Sequence, residues 1–170
     1  MSFVLALLTG GSPGSAYHHV QHNDAGRPLP YCPMKMVGQR IETPTAIIER
    51  SGDRLIEQHF KAEARFGPGV IDRNRKARWK LAEGEPHLVL IVLPHELPVH
   101  PPAMNEDHFR QDSEARLIIA LAIVAPSMQQ NTAAKFYFRY YAQAFEARVF
   151  EEEAEARAWL SAVLERRTAR

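Results

Sequence analysis

The segment His95-Glu96-Leu97-Pro98-Val99-His100 contains the residue types of a zinc hydrolase site. In the common zinc motif, two histidines four residues apart on one helix bind the metal, and a glutamate between them acts as the base. Here the histidines are five residues apart, and Pro98 lies between them. Pro101 and Pro102 follow, and proline disrupts a helix. The helical zinc motif is therefore excluded.

A looser metal site could still be built from five side chains of this loop and the residues after it. They are His95, Glu96, His100, Asp107 and His108. Loop histidines near carboxylates are more often solvated than metal-bound, so we expect no metal, and a metal-dependent hydrolase is the weakest of the functions considered. The N-terminal histidines 18, 19 and 22 are likewise expected to belong to a solvated tail.

Two predicted helices carry side chains that could bind ligands. The first has five basic residues, which could contact phosphates. They are Arg73, Arg75, Lys76, Arg78 and Lys80. The second has aromatic residues that could stack on a base or line a ligand pocket. They are Tyr137, Phe138, Tyr140 and Tyr141. A solvated face explains the first group more simply and core packing the second, with an interface role for one or two tyrosines.

Recognisable catalytic motifs are missing from the sequence. Gly10-Gly11-Ser12-Pro13-Gly14 is rich in glycine but lacks the Lys-Ser/Thr ending of a phosphate-binding loop. Neither a nucleophile elbow nor a pair of carboxylates suited to acid–base catalysis occurs. We therefore predict no catalytic residues, no cofactor and a protein that is not an enzyme.

The composition is that of an ordinary globular chain. Lys and Arg total 21 and Asp and Glu total 20 in 170 residues, so the net charge gives no tendency to bind nucleic acid. The single cysteine, Cys32, cannot form an internal disulfide, which favours a reducing, cytoplasmic location. No apolar run approaches the ~20 residues that a membrane span needs.

Apolar periodicity divides the chain into a leader and a domain. Residues 1–38 are rich in Gly and Pro and are predicted to be a flexible or wrongly assigned leader. In residues 39–168, a hairpin is followed by alternating helices and strands. Gly84 is expected to end the first helix, and a short helix is predicted from residue 103 to about 115. Ser127, with Gln130 three residues later, fits a capping box at the start of the next helix. The strands at 88–93 and 117–124 are almost wholly apolar, as expected where helices cover both faces of a sheet. We predict an α/β fold with a mixed, largely parallel sheet of four to five strands, in the order β-β-α-β-α-β-α-β-α.

This order resembles the STAS-like fold of bacterial anti-sigma-factor antagonists, which is grouped at the fold level with the larger CRAL-TRIO lipid-transfer domains. Residues 41–48 resemble the line with which small bacterial STAS-like domains begin, and residues 120–124 resemble their middle strand. Residues 147–150, followed by an acidic helix start and Ala158-Trp159-Leu160, resemble their end. The resemblance covers about residues 40–164 and implies a single STAS-like domain.

The resemblance implies a non-catalytic regulatory module that works by binding a protein partner. In the antagonists, a Ser or Thr at the start of the helix after the central strand is phosphorylated, and the added charge blocks binding. Residues 94–103 of this chain contain no Ser or Thr, so this phosphorylation switch is not expected.

STAS-like domains meet their partners at the end of the sheet where the 94–108 loop is predicted. The partner-binding residues expected from this resemblance are His95, Glu96, His100, Met104, Asp107 and His108. The three histidines would make the contact pH-sensitive between about pH 5 and 8. The partner would be another protein or a second copy in a homodimer. The alternative is a small apolar, lipid-like ligand held between the apolar strands and the tyrosine-rich helix.

Overall fold

The computed structural model describes residues 38–65, 69–98, 105–109 and 115–169. Within these residues six strands form one sheet, and their order across the sheet is their order along the chain. The strands are β1 (Arg40–Glu42), β2 (Ala46–Arg50), β3 (Leu55–Phe60), β4 (His87–Val92), β5 (Ile118–Val124) and β6 (Glu146–Phe150). The first three are antiparallel neighbours, and β3 to β6 run parallel.

Three α-helices and one short 3₁₀ turn connect and cover the described strands. The helices are α1 (Val70–Ala82), α2 (Met128–Tyr140) and α3 (Glu153–Thr168), and the turn is Ala115–Leu117. Helix α1 contacts β2 and β3, α2 contacts β6, and α3 contacts β4, β5 and β6. The expected α/β class, with one mixed and largely parallel sheet, is therefore confirmed.

Alternating side chains give the sheet two faces. We call the first the α3 face, because its aliphatic residues pack against Trp159, Leu160 and Val163 of α3. Its strand residues include Leu88, Leu90, Ala120, Ala122 and Val124. We call the other the cavity face, and α1 and α2 cover it. Its strand residues include Ile56, Val89, Ile91 and Leu121.

The helix ends follow local sequence signals. The Ser127 Oγ accepts a hydrogen bond from the Gln130 N–H at 3.3 Å, and the Gln130 Oε1 accepts one from the Ser127 N–H at 3.4 Å, so the predicted capping box of α2 is confirmed. Helix α1 ends where Glu83 and Gly84 take φ values of 53° and 75°. Glycine adopts this left-handed conformation without steric cost, which explains the stop at Gly84.

The number of elements differs from the prediction. Strand β1 was not predicted as a strand, because it has three residues and only Ile41 packs against the core. The helix predicted from residue 103 to about 115 is wrong at residues 105–109, which are not helical. There the Phe109 N–H donates to the Asp107 Oδ1 at 3.1 Å, and such local bonds compete with helix formation. The remainder of that segment up to residue 114, and the leader at residues 1–37, lie outside the described residues.

Candidate functional site

A cavity of about 180 Å³ lies on the cavity face, between α1 and α2. Its floor includes Gln58, Ile91 and Ile123, which the parallel register aligns in one row across β3, β4 and β5. Helices α1 and α2 supply opposite walls, and residues 97, 98, 108 and 109 complete the lining. A concave, mainly apolar space with a few polar groups is the usual form of a small-molecule site.

The middle of α2 forms an apolar wall of the cavity, and the residues of this wall nearest the open space are small. Ala133 and Ala134 face the cavity, with Tyr137 and Phe138 one turn further along the helix. An alanine side chain ends at its β-carbon, so two adjacent alanines keep α2 from filling the gap above Ile123. The cavity therefore follows from the composition of α2.

The α1 side of the cavity is polar. Arg78 is only 7 % exposed, and its Nη1 donates a hydrogen bond to the Oε1 of Gln58, which is 1 % exposed. One turn earlier, the Asn74 Oδ1 accepts from the Thr43 hydroxyl at 2.8 Å, and the Asn74 Nδ2 donates to the Thr45 hydroxyl at 3.2 Å. Strand β3 and helix α1 therefore supply polar side chains to the lining, whereas Ile123 of β5 and Ala133 and Ala134 of α2 supply apolar ones.

Gln130 fixes one rim of the cavity to α2. Its Nε2 donates to the carbonyl oxygens of Pro94 at 2.9 Å and Leu97 at 2.8 Å, and Leu97 is buried. The capping box holds the same side chain at the start of α2. Gln130 thus joins the helix end to the loop that follows β4.

Tyr137 and His108 form another part of the lining. The backbone N–H of His108 donates to the Tyr137 hydroxyl at 2.8 Å, and the two rings stack with centroids 6.0 Å apart. Burial raises the pKa of Tyr137 to about 12. The phenol is therefore protonated at neutral pH, which suits a hydrogen-bonding group better than a base.

The structure separates the predicted partner-binding residues. His95 and Glu96 are strongly exposed, whereas Asp107 and His108 are half-buried near the C-terminal part of α2. His100 and Met104 lie outside the described residues. The single contact surface predicted for this loop is thus divided between an exposed part and a part that helps to line the cavity.

Gln58 and Arg78 were not predicted as site residues. We expected Arg78 on a solvated face, and this was wrong, whereas Arg73, Lys76 and Lys80 are exposed. A signal was present, because Arg78 lies four residues after Asn74 and next to Ala77, on the side of α1 that faces the sheet. Gln58 lies two residues from each of the inward-facing Ile56 and Phe60, so the three side chains share one face of β3.

A second cluster of polar groups lies on the α3 face. Ligand atoms of Glu57, His59 and Glu153 lie within 4.8 Å of one another, the geometry of a possible metal site. Arg157 already donates to Glu57 Oε1 at 2.7 Å and to Glu153 Oε1 at 2.7 Å. Burial alone would raise the pKa of Glu57, but hydrogen bonds from His59 and Arg157 outweigh it and hold that pKa well below its ordinary value. The cluster is therefore explained as an ion-pair network joining α3 to β3.

The outer side of α2 is unusually apolar. Phe136 is 63 % exposed and Tyr140 is 70 % exposed, their rings stack with centroids 6.3 Å apart, and Met128 continues the row. Four-residue spacing places these side chains along one stripe of the helix. We call Met128, Phe136 and Tyr140 the outer stripe. Of the tyrosines for which an interface role was predicted, Tyr140 is exposed and Tyr137 is buried.

The fold and the cavity define an α/β domain with an internal space on one face of a mixed sheet. The family described as Domain of unknown function (DUF7793) matches residues 55–164, well over half of the chain, and the chain belongs to this family. All the lining residues of the cavity lie within this matched region. No curated protein and no solved structure matches the chain. Among the described residues, none of the helices has the length and apolar character required to cross a membrane.

Proposed function

We propose that this chain is a non-catalytic binding module whose cavity takes a small, mainly apolar ligand. The cavity of about 180 Å³ between α1 and α2 carries the proposal. Its walls are mostly aliphatic and aromatic with a few polar groups, which is the usual form of a small-molecule site.

The polar groups of the lining suit recognition better than catalysis. Gln58, Asn74 and Gln130 are amides, Arg78 has only hydrogen-bond donors, and the high pKa of Tyr137 keeps its hydroxyl protonated. His108 donates its backbone N–H to the Tyr137 hydroxyl and stacks its ring on that of Tyr137. The STAS-like resemblance, which implies a regulatory rather than a catalytic role, supports the same interpretation.

The test fills the cavity with a side chain and measures ligand binding. Replacing Ala134→Leu puts three further carbons into the lining, and the matched Ala158→Leu change lies on an exposed position of α3. With 1-octanol as the probe in titration calorimetry, we expect Ala134→Leu to weaken binding by at least about tenfold. Ala158→Leu should bind like the unaltered protein. Absence of octanol binding to the unaltered protein, or equal binding by both variants, would contradict the proposal.

The outer stripe of α2 supports a second candidate, a module that binds an acidic protein segment. Lys135 and Arg139 flank Phe136 and Tyr140, and α2 itself has no acidic residue. Neither cation forms an ion pair within the described part of the chain. A second copy packed symmetrically on this stripe would bring like charges together, so charge complementarity favours an acidic partner over a homodimer.

This second candidate is tested with an acidic amphipathic helical peptide carrying a fluorescent label. We expect its binding to be lost in the double variant Lys135→Glu/Arg139→Glu and kept in Arg73→Glu/Lys80→Glu, a matched charge reversal on α1. A version of the peptide with lysines in place of its acids should not bind. Concentration-dependent dimerisation through the stripe, or equal binding of both peptides, would argue against an acidic partner.

A further inference from the structure

Strand β6 forms one edge of the described sheet, and some of its backbone groups point away from the sheet. Among the described strands, β6 pairs with β5 alone. The Ala125 N–H donates to the Phe150 carbonyl at 2.8 Å, so the backbone groups of Phe150 point toward β5. These groups alternate in direction along a strand, and those of Ala147 and Val149 therefore point outward. Such an edge can pair with a further strand.

The charges of β6 alternate in a way that fits a second copy of the same strand. Glu146 and Arg148 are both exposed, and their spacing places both side chains on one face. That is the α3 face, because the Arg148 guanidinium lies 5.3 Å from the centre of the Trp159 ring. In an antiparallel pair with Ala147 opposite its own copy, Glu146 of each strand lies opposite Arg148 of the other. Cross-strand pairs of opposite charge stabilise a sheet.

One register satisfies the backbone and the charges together. With Ala147 opposite its copy, the outward N–H and C=O groups of the two alanines form two hydrogen bonds with each other. A twofold axis through this pair produces the arrangement, as in most homodimers. Shifting one strand by two residues places Glu146 or Arg148 opposite its own copy, and like charges directly opposite are destabilising.

The contacts within the chain leave both charges available to a partner. Glu146 is 3.6 Å from Arg166, but both side chains are exposed, so this pair contributes little. Arg148 forms no ion pair with another described residue. The opposite edge of the described sheet is less suitable, because β1 has only three residues and Glu42 already accepts from Lys61 at 2.7 Å.

We propose that β6 is a self-association edge, at which two copies of the chain pair their β6 strands antiparallel about Ala147. The two six-stranded sheets then become one continuous sheet. The partner is a second copy because a strand that fits must present a base opposite Glu146 and an acid opposite Arg148, and β6 itself does so. The proposal depends neither on the cavity nor on the outer stripe.

Sedimentation equilibrium of the full chain over a series of concentrations tests the proposal. We expect a monomer–dimer equilibrium in the unaltered protein. Ala147→Pro removes an outward N–H at an edge position where proline is tolerated, so this variant should fold and stay monomeric. Glu146→Arg and Arg148→Glu each place like charges opposite one another and should weaken the dimer at least about tenfold. The double variant Glu146→Arg/Arg148→Glu restores opposite charges and should recover the dimer.

Arg40→Glu is the matched control, because it reverses an exposed charge on β1 and should leave the dimer unchanged. Circular dichroism checks that each variant is folded. If Ala147→Pro does not fold, the charge variants decide, since they alter only exposed side chains. An unaltered protein that stays monomeric at every concentration, or a dimer that persists in Ala147→Pro, overturns the proposal. Failure of the double variant to recover the dimer that the single variants lose overturns the register.

Discussion

The two faces of the sheet are built from the same strands but packed in different ways. On the α3 face, Trp159, Leu160 and Val163 lie directly against strands rich in Leu, Ala and Val. On the cavity face, α1 and α2 stand apart, and the alanines of α2 leave a space above Ile91 and Ile123. The α3 face is thus closely packed, whereas the packing of the cavity face leaves a space open. Interior packing is normally close to crystalline density, so a space of this size has a cost in stability.

The largest expected effect tests this difference directly, with one substitution made on each face. Leu160→Ala removes a fully buried side chain from the α3 face and should lower the free energy of unfolding by about 2–5 kcal/mol. Leu93→Ala, which removes a half-buried side chain beside the cavity, should cost only about 1–2 kcal/mol. Urea unfolding measures both. Equal losses would mean that the cavity face is packed as closely as the α3 face.

The next effect concerns the ion pairs of the α3 face. Glu57→Gln leaves Arg157 without its buried carboxylate partner, and Arg157 is partly exposed, so the loss is expected at about 1–3 kcal/mol. The control is Glu146→Gln, because Glu146 and Arg166 are both exposed and 3.6 Å apart. That pair should contribute less than about 1 kcal/mol. Similar losses in the two variants would show that the network does not anchor α3.

A smaller effect separates the inner and outer sides of α2. Tyr137→Phe removes the hydroxyl that accepts from the His108 N–H, and should cost about 0.5–1.5 kcal/mol. Tyr140→Phe makes the same change on the exposed outer stripe and should leave the free energy of unfolding within about 0.5 kcal/mol. Thermal unfolding of the two variants decides. A larger loss in Tyr140→Phe would mean that the Tyr140 hydroxyl forms an intramolecular hydrogen bond.

The smallest expected effect concerns His87 on the cavity face and His59 on the α3 face, which should change the stability of the fold in opposite ways as the pH changes. Burial lowers the pKa of His87, on the cavity face, with further lowering from Arg78 and Arg50, although a bond to the Glu85 carbonyl opposes it. The hydrogen bond to Glu57 raises the pKa of His59, on the α3 face. The contribution of His87 to the free energy of unfolding is thus lost as the pH falls below the ordinary histidine pKa of about 6.5. The contribution of His59 to the free energy of unfolding is fully present below the ordinary histidine pKa and is lost as the pH rises through the raised pKa of His59.

Two variants separate these contributions when the melting temperature is followed between about pH 5 and 8. His87→Gln should flatten the fall in stability on acidification, and His59→Gln should steepen it. Opposite results, or identical slopes in both variants, would mean that the two histidines do not titrate differently in the folded chain.

Elements governed by local chemistry could be predicted from the sequence. The apolar strands around Leu90 and Leu121, the capping box at Ser127 and the end of α1 at Gly84 are all confirmed. Each depends on residues close together in the chain. The prediction of a helix at residues 105–109 was wrong because apolar periodicity does not reveal the hydrogen bond that the Asp107 Oδ1 accepts from the Phe109 N–H.

The site could be predicted only in part. A pocket between the apolar strands and the tyrosine-rich helix was one alternative, and the cavity lies beside that helix. Its polar end could not be found, because Gln58 and Arg78 are twenty residues apart in sequence and meet only when α1 crosses over β3. The size of the space depends on how far α1 and α2 stand from each other, which no local pattern encodes.

The agreement between strand order and chain order bears on how the protein is made. As the chain leaves the ribosome, each new strand from β2 to β6 finds its hydrogen-bonding neighbour already synthesised, and none has to be inserted between two finished strands. The sheet can therefore lengthen at a single growing edge, and α3 arrives last, when the aliphatic surface that it must shield is already complete.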